Sequence, residues 1–304
     1  MLSRRYATKP PHHDHLTSPL IIGIHMGYRT ILVHLQLGGS NTGLLNIAGD
    51  LAQRYQAKVI GIAAGRPMDV GVSDSFGGGV YLSGEIIQEE RDEMDHEIGA
   101  AETEFRTALS GRAENVEWRS SVTYEALSDC LVRQARSADL VLSNVSTPGM
   151  DPTHRVDTGD LVMRAGRPVL IVPRKLKSLG LDHILVAWND TREARRAVAD
   201  ALPLLKKAAR VTVHEVARED NRDSARAHVE DVRTWLARHG IAAEASVSTC
   251  TTDDATHLGA VAAEAKADVV VAGIYGHNRM REWVFGGVTQ DLLLREHRCA
   301  LLSH

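Results

Sequence analysis

The chain runs twice through one order of short apolar runs and longer amphipathic stretches, and this repetition restricts its fold more than any other feature. Tyr28-Arg29-Thr30-Ile31-Leu32-Val33-His34 is echoed by Leu181-Asp182-His183-Ile184-Leu185-Val186-Ala187, and Ala57-Lys58-Val59-Ile60 by Ala209-Arg210-Val211-Thr212, at an offset of about 152 residues. Further on, Ala138-Asp139-Leu140-Val141-Leu142 matches Ala267-Asp268-Val269-Val270-Val271, and Gly166-Arg167-Pro168-Val169-Leu170 is echoed by His297-Arg298-Cys299-Ala300-Leu301. A duplicated domain explains this pattern, and 304 residues accommodate two domains of ordinary size.

Within each copy, β-branched runs alternate with helical periodicity, the signature of βαβ units around a parallel sheet. In the first copy strands are expected at Thr30–Leu35, Lys58–Ala63, Val116–Val122, Asp139–Val145 and Pro168–Pro173. Helices are expected through Leu44–Tyr55, through a long stretch from Ile87 to Leu109, over Tyr124–Arg136 and over Asp160–Ala165. Right-handed crossovers then give two doubly wound five-stranded sheets, each in the order 3-2-1-4-5, with a topological switch point between the first and fourth strands. Ligands bind beyond the carboxyl ends of the strands at such points. The expected division is a disordered tail over residues 1–27, a first domain over 28–174, a polar linker from Lys175 to Gly180 and a second domain over 181–304.

Composition narrows the function classes. A formal charge of -4 gives no global attraction to nucleic acid or anionic lipid, and no apolar run is long enough to span a bilayer. Three widely spaced cysteines, Cys130, Cys250 and Cys299, suit a reducing, cytoplasmic setting better than a disulfide framework. In the tail, the apolar stretch Leu20–Ile24 is too short for a signal-peptide core, and Met26 offers an alternative start immediately before the first strand. His12, His13, Asp14 and His15 match no closed zinc spacing. Nucleophile-elbow, carboxylate-pair and Cys–His signatures are all missing, so no hydrolytic site is read, and no Gly-x-Gly-x-x-Gly follows either first strand. The polar run Gln88 to Glu93 reads as a solvated helix face. His34 and His214, placed at strand ends toward the switch point, read as satisfied core or rim histidines.

The chemistry-bearing segment follows the fourth strand of the second copy: Gly273-Ile274-Tyr275-Gly276-His277-Asn278-Arg279-Met280-Arg281-Glu282-Trp283-Val284-Phe285-Gly286-Gly287-Val288-Thr289. Glycines let backbone approach a phosphate closely, and amides opening the next helix meet negative charge. Gly, two residues, Gly, nine residues, Gly is the spacing at Gly273, Gly276 and Gly286, and with the duplication it resembles the tandem-domain universal stress proteins and their nucleotide-binding members. The resemblance implies an adenine nucleotide alpha-hydrolase-like fold and a stress-response module. It implies ATP or a related adenine nucleotide held by Ala187, Asn189, Asp190, Gly273, Gly276, Arg279, Gly286, Gly287, Val288 and Thr289, with phosphate release at most slow and incidental.

Two positions depart from the family pattern. Gly287 stands where the family supplies a hydroxyl, and Asn189 stands where its Asp-Gly-Ser places the aspartate. Asp190 and Glu193 also fit a capping pair for the helix after the strand, and Thr289 a cap for the last helix from about Gln290. In the first copy Asn144, Thr147, Arg155 and Val156 replace the glycine clusters and Gln36 takes the Asp position, so no nucleotide is expected there. That copy is expected to serve as an intrachain pseudo-dimer partner, with pairing of two chains left open. A second reading stays beside the first: the glycines serve turns only, and the chain is a nucleotide-independent scaffold for another protein.

Overall fold

The computed structural model describes residues 27–67, 84–145, 151, 153–249, 254–274 and 298–304. Among the described residues ten strands form one continuous sheet in the order β3-β2-β1-β4-β5-β10-β9-β6-β7-β8. The first half supplies β1 (Thr30–Leu35), β2 (Lys58–Gly65), β3 (Val116–Val122), β4 (Leu140–Asn144) and β5 (Val169–Val172). From the second half come β6 (His183–Trp188), β7 (Arg210–Ala217), β8 (Ala243–Thr249), β9 (Val269–Gly273) and β10 (Cys299–Ser303). All pairings within a half are parallel, and each half has the order 3-2-1-4-5 read from the sequence. The two expected sheets are fused: β10 pairs antiparallel with β5, with Leu301 opposite Leu170.

Helices cover both faces, as buried parallel strands require. On one face lie α1 (Thr42–Tyr55), α2 (Gly84–Leu109), α5 (Arg192–Leu205) and α6 (Arg222–Arg238); on the other lie α3 (Leu127–Ala135), α4 (Thr158–Arg164) and α7 (Asp254–Glu264). Strand residues alternate between the faces. Ile31, Val33 and Leu35 pack under α1 and α2, whereas Leu32 joins the layer beneath α3 and α4. Each apolar layer contains residues of both halves.

The repeated Ala-Asp pair has a structural reason. Asp139 Oδ2 accepts from the amides of Arg29 and Thr30 at 2.8 and 2.9 Å, while its own amide donates to the Thr30 carbonyl at 2.8 Å. Asp268 does the same at the start of β6, accepting from the His183 amide at 2.9 Å and donating to the His183 carbonyl at 2.9 Å. In each half, then, the residue before the fourth strand ties down the start of the first.

Three of the boundaries that differ from the sequence expectation show a local cause. β2 runs two residues further, to Gly65, because Ala64 and Gly65 pair with Ser121 and Val122. α3 starts three residues late, since the Thr123 hydroxyl accepts from the Glu125 amide and Ala126 is extended. α4 starts early, capped by Asp157, whose carboxylate accepts from the Asp160 amide at 2.9 Å. The halves also meet through α5: Tyr28 Oη donates to the Asp200 carbonyl at 2.8 Å and Tyr55 Oη to the Pro203 carbonyl at 2.9 Å.

Candidate functional site at the second switch point

β6 and β9 lie side by side in parallel, with Ala187 opposite Ala272, so their carboxyl ends open at one place. Beyond β6 the chain turns through Asn189, Asp190 and Thr191 into α5. Asp190 takes a left-handed conformation, φ 49°, at the glycine position of the family's Asp-Gly-Ser. Asp is among the few residues with a side chain that tolerate this region. Asn189 is half-buried, and its Oδ1 accepts from the Thr191 hydroxyl at 2.8 Å.

The expected capping pair is not formed. Thr191 is the cap, with extended backbone and its Oγ1 accepting from the Ala194 amide at 3.2 Å. The Asp190 left-handed turn lies before the cap and directs its carboxylate to Arg195 at 2.8 Å. Glu193 is buried and accepts from Arg192. Burial works against its charge, but its own backbone amide and the Arg192 guanidinium prevail and hold its carboxyl below the ordinary value.

Gly273 ends β9 against the first turn of α5. A Cβ there would lie 2.2 Å from both the Ala194 nitrogen and the Glu193 carbonyl carbon, too close for any side chain. The following residue is fixed as well: the Ile274 amide donates to the Ser303 carbonyl at 2.9 Å, and His304 Nδ1 donates to the Ile274 carbonyl at 3.1 Å. The helix N-terminus thus stands directly at the mouth of the switch point, where aligned amides favour an anion. Of the site residues read from the sequence, Ala187, Asn189, Asp190 and Gly273 are brought together here. Gly276, Arg279, Gly286, Gly287, Val288 and Thr289 lie outside the described residues, as do His277, Arg281, Cys250, Thr147 and the last helix from Gln290. Glu193, Arg192 and His304 also gather at this mouth; only the capping alternative had singled out Glu193.

The corresponding edge of the first half is filled by its own side chains. The buried Gln36 exchanges hydrogen bonds with Asn41, its backbone amide donating to Asn41 Oδ1 at 2.9 Å and Asn41 Nδ2 donating to its backbone carbonyl at 3.0 Å. Glu97 of α2 and His154 pair at 3.3 Å and close over Gly38, whose absent Cβ would lie 3.3 Å from Glu97 Oε1 and 3.5 Å from His154 Nδ1. Asn144 Nδ2 donates to the Val172 carbonyl at 3.1 Å, and Val156 is packed in the core.

His34 lies at the first switch point, 3.0 Å from Ser143 Oγ of β4, and burial, aided by the Arg174 guanidinium, pushes its pKa down to about 4. His214 does not face the second one. It lies on β7, one strand removed, and its ring nitrogens meet Ser246 and Ser248 of β8 at 3.0 and 2.9 Å. Burial, with His257 adding repulsion, also lowers its pKa to about 4. Cys130 and Cys299 are buried free thiols, and burial raises the Cys299 pKa. The Gln88–Glu93 run is a largely exposed helix face. Among the described residues no cluster of three or more His, Cys, Asp or Glu could hold a metal, and no helix is long and apolar enough to cross a membrane.

No protein-family model matches the chain, and no curated protein matches it. Solved structures do. A universal stress protein from Archaeoglobus fulgidus DSM 4304 aligns over 90% of this chain and 95% of its own, with a TM-score of 0.66 at 14% identity. A putative universal stress protein from Pseudomonas aeruginosa UCBPP-PA14 aligns over 92% and 94%, at 0.58 and 17% identity. A functionally unknown protein from Pseudomonas aeruginosa PAO1 aligns over 92% and 93%, at 0.57 and 17% identity. With both halves covered in single alignments and each sheet wound in the same order, this chain has the fold of a tandem universal stress protein.

Proposed function

We propose that the chain is a stress-response binding module that holds ATP or a related adenine nucleotide at the switch point of its second half, without committed catalysis. The observation that carries this reading is the juxtaposition of the β6 and β9 carboxyl ends with the α5 N-terminus, immediately before the Gly276 and Gly286 spacing. A phosphate entering from the edge would meet helix amides and glycine backbone. Asn189 supplies a neutral hydrogen-bonding group where the family pattern has a charge. The Glu97–His154 pair over Gly38 supports a first half without nucleotide.

One observation favours the scaffold reading instead. The absence of a side chain at Gly273 is accounted for by its contact with α5, with no ligand required. Titration calorimetry of ATP against ligand-stripped wild type and Gly276→Val separates the two. Heat from the wild type that the variant abolishes is expected; no heat from the wild type would end the nucleotide reading. Mass spectrometry of small molecules released from freshly purified protein gives an independent check, with a co-purified adenine nucleotide as the expected result.

A further inference from the structure

Behind the switch point, on the face covered by α5 and α6, lies a cavity of about 520 Å³. Its walls are apolar, with Trp188 at the end of β6, Val198 of α5, and Val232 and Trp235 of α6. Trp188 is only 7% exposed, and its indole Nε1 has no hydrogen-bond partner among the described residues. A buried donor without an acceptor is costly and rare, and it indicates either a tolerated defect or an acceptor that arrives from outside. The sequence repeat makes this feature particular to the second half, since Leu35 occupies the matching place at the end of β1.

The charged groups around the cavity are mostly acidic. Asp190 and Asp231 line it, and Glu215 stands behind His228, 3.3 Å from its Nδ1. Arg195, the one guanidinium among the described lining residues, is already joined to Asp190 at 2.8 Å. His228 Nε2 lies 3.9 Å from the other Asp190 oxygen, and Asp231 is exposed on α6. Apolar indole walls with carboxylates at the rim attract an organic cation: the rings cover its body and their faces favour positive charge.

We propose that this cavity binds a small aromatic amine, its ring against Trp188 and Trp235, an acceptor atom taking the Trp188 Nε1 hydrogen, and its protonated nitrogen facing Asp190 and Asp231. The cavity adjoins the proposed nucleotide edge, with Asp190 at the boundary between them, and its binding of an amine does not depend on that reading. Tyramine is a suitable probe, carrying an aromatic ring, an acceptor oxygen and an ammonium. Its controls are 4-ethylphenol, which lacks the charge, and 4-hydroxyphenylacetate, which reverses it.

Saturation-transfer NMR on the full chain should show tyramine binding more tightly than 4-ethylphenol, and 4-hydroxyphenylacetate more weakly than either. Trp188→Phe keeps the ring but removes the donor and should weaken tyramine about fivefold, the value of one buried hydrogen bond. Asp231→Asn, on the exposed side of α6, should weaken it about threefold and narrow the gap to 4-ethylphenol. If Trp188→Phe fails to fold, Asp231→Asn and the charge series still decide. No binding of tyramine, equal binding of the three probes, or wild-type affinity in either folded variant would overturn the proposal. Displacement of tyramine by AMP would overturn it too, because the cavity would then be part of a nucleotide site, whereas binding that AMP leaves untouched supports two separate sites.

Discussion

Gly273 shows how a residue can be read for chemistry and be needed for packing. A methyl group there would press into the Glu193–Ala194 backbone, which no rotamer change can relieve. Gly273→Ala is expected to cost about 1–3 kcal/mol, the range of overpacked positions, as a drop in the urea midpoint at unchanged slope. The sequence displayed a glycine with the right spacing but not the helix beside it, because that contact joins residues about 80 positions apart. His34 and His214 carry a second residue-scale consequence. Both have folded pKa values of about 4 against an ordinary 6.5, so above pH 6.5 they are neutral in folded and unfolded chains alike. As the pH falls from 6.5 toward 4 the unfolded chain takes up protons first, and each histidine removes up to about 1.4 kcal/mol of stability per pH unit. Asp200 and Glu215, whose carboxyls burial raises, act in the opposite sense above the ordinary carboxylate range. Urea midpoints measured from pH 7 to 5 should therefore fall less steeply for His214→Gln than for the wild type; identical slopes would refute the assignment.

At the scale of elements, the decisive joints are the ends rather than the middles. The α5 terminus depends on Thr191, so Thr191→Ala should lower stability by about 1 kcal/mol in thermal unfolding, while Asp190→Ala loses only an exposed ion pair and gains a less tolerant residue at φ 49°. The Asp139 and Asp268 clamps were visible as a repeated dipeptide, yet the repeat alone offered no reason for it. The structure supplies one, and Asp139→Ala should cost about 1–2 kcal/mol, read as an earlier thermal transition. Strand existence was legible because short, continuous apolar runs, suited to parallel strands buried on both faces, stand between longer stretches of period 3.6, and the order followed from right-handed crossovers. Boundaries at α3 and α4 were less so: they are set by single side-chain-to-amide bonds from Thr123 and Asp157, which hydrophobic periodicity does not report. The cap of α5 is hidden from the sequence for a related reason, and the Asp190–Glu193 pair that also fits there is not the one formed. Both Asp190 and Thr191 can cap, and only the backbone angle at Asp190 decides between them.

For the whole molecule, the β5–β10 ladder turns two domain-sized sheets into one, and both apolar layers cross the joint. Unfolding should consequently be a single transition, with far-ultraviolet dichroism and tryptophan fluorescence following one curve, since Trp118 reports the first half and Trp188 and Trp235 the second. Two separated transitions would show that the halves stand independently. The duplication was plain in the sequence. The antiparallel joint was not, because β5 and β10 present ordinary apolar runs whose pairing direction no residue pattern specifies.

The joint also bears on how such a protein can change. A dimer of identical chains has to keep the same pocket at both ends, since every substitution appears twice. Once the partners share one polypeptide, that twinning is lifted: one end can be stoppered by an acid and a histidine, as over Gly38, while the other stays free to hold a ligand or acquire a new cavity beside it.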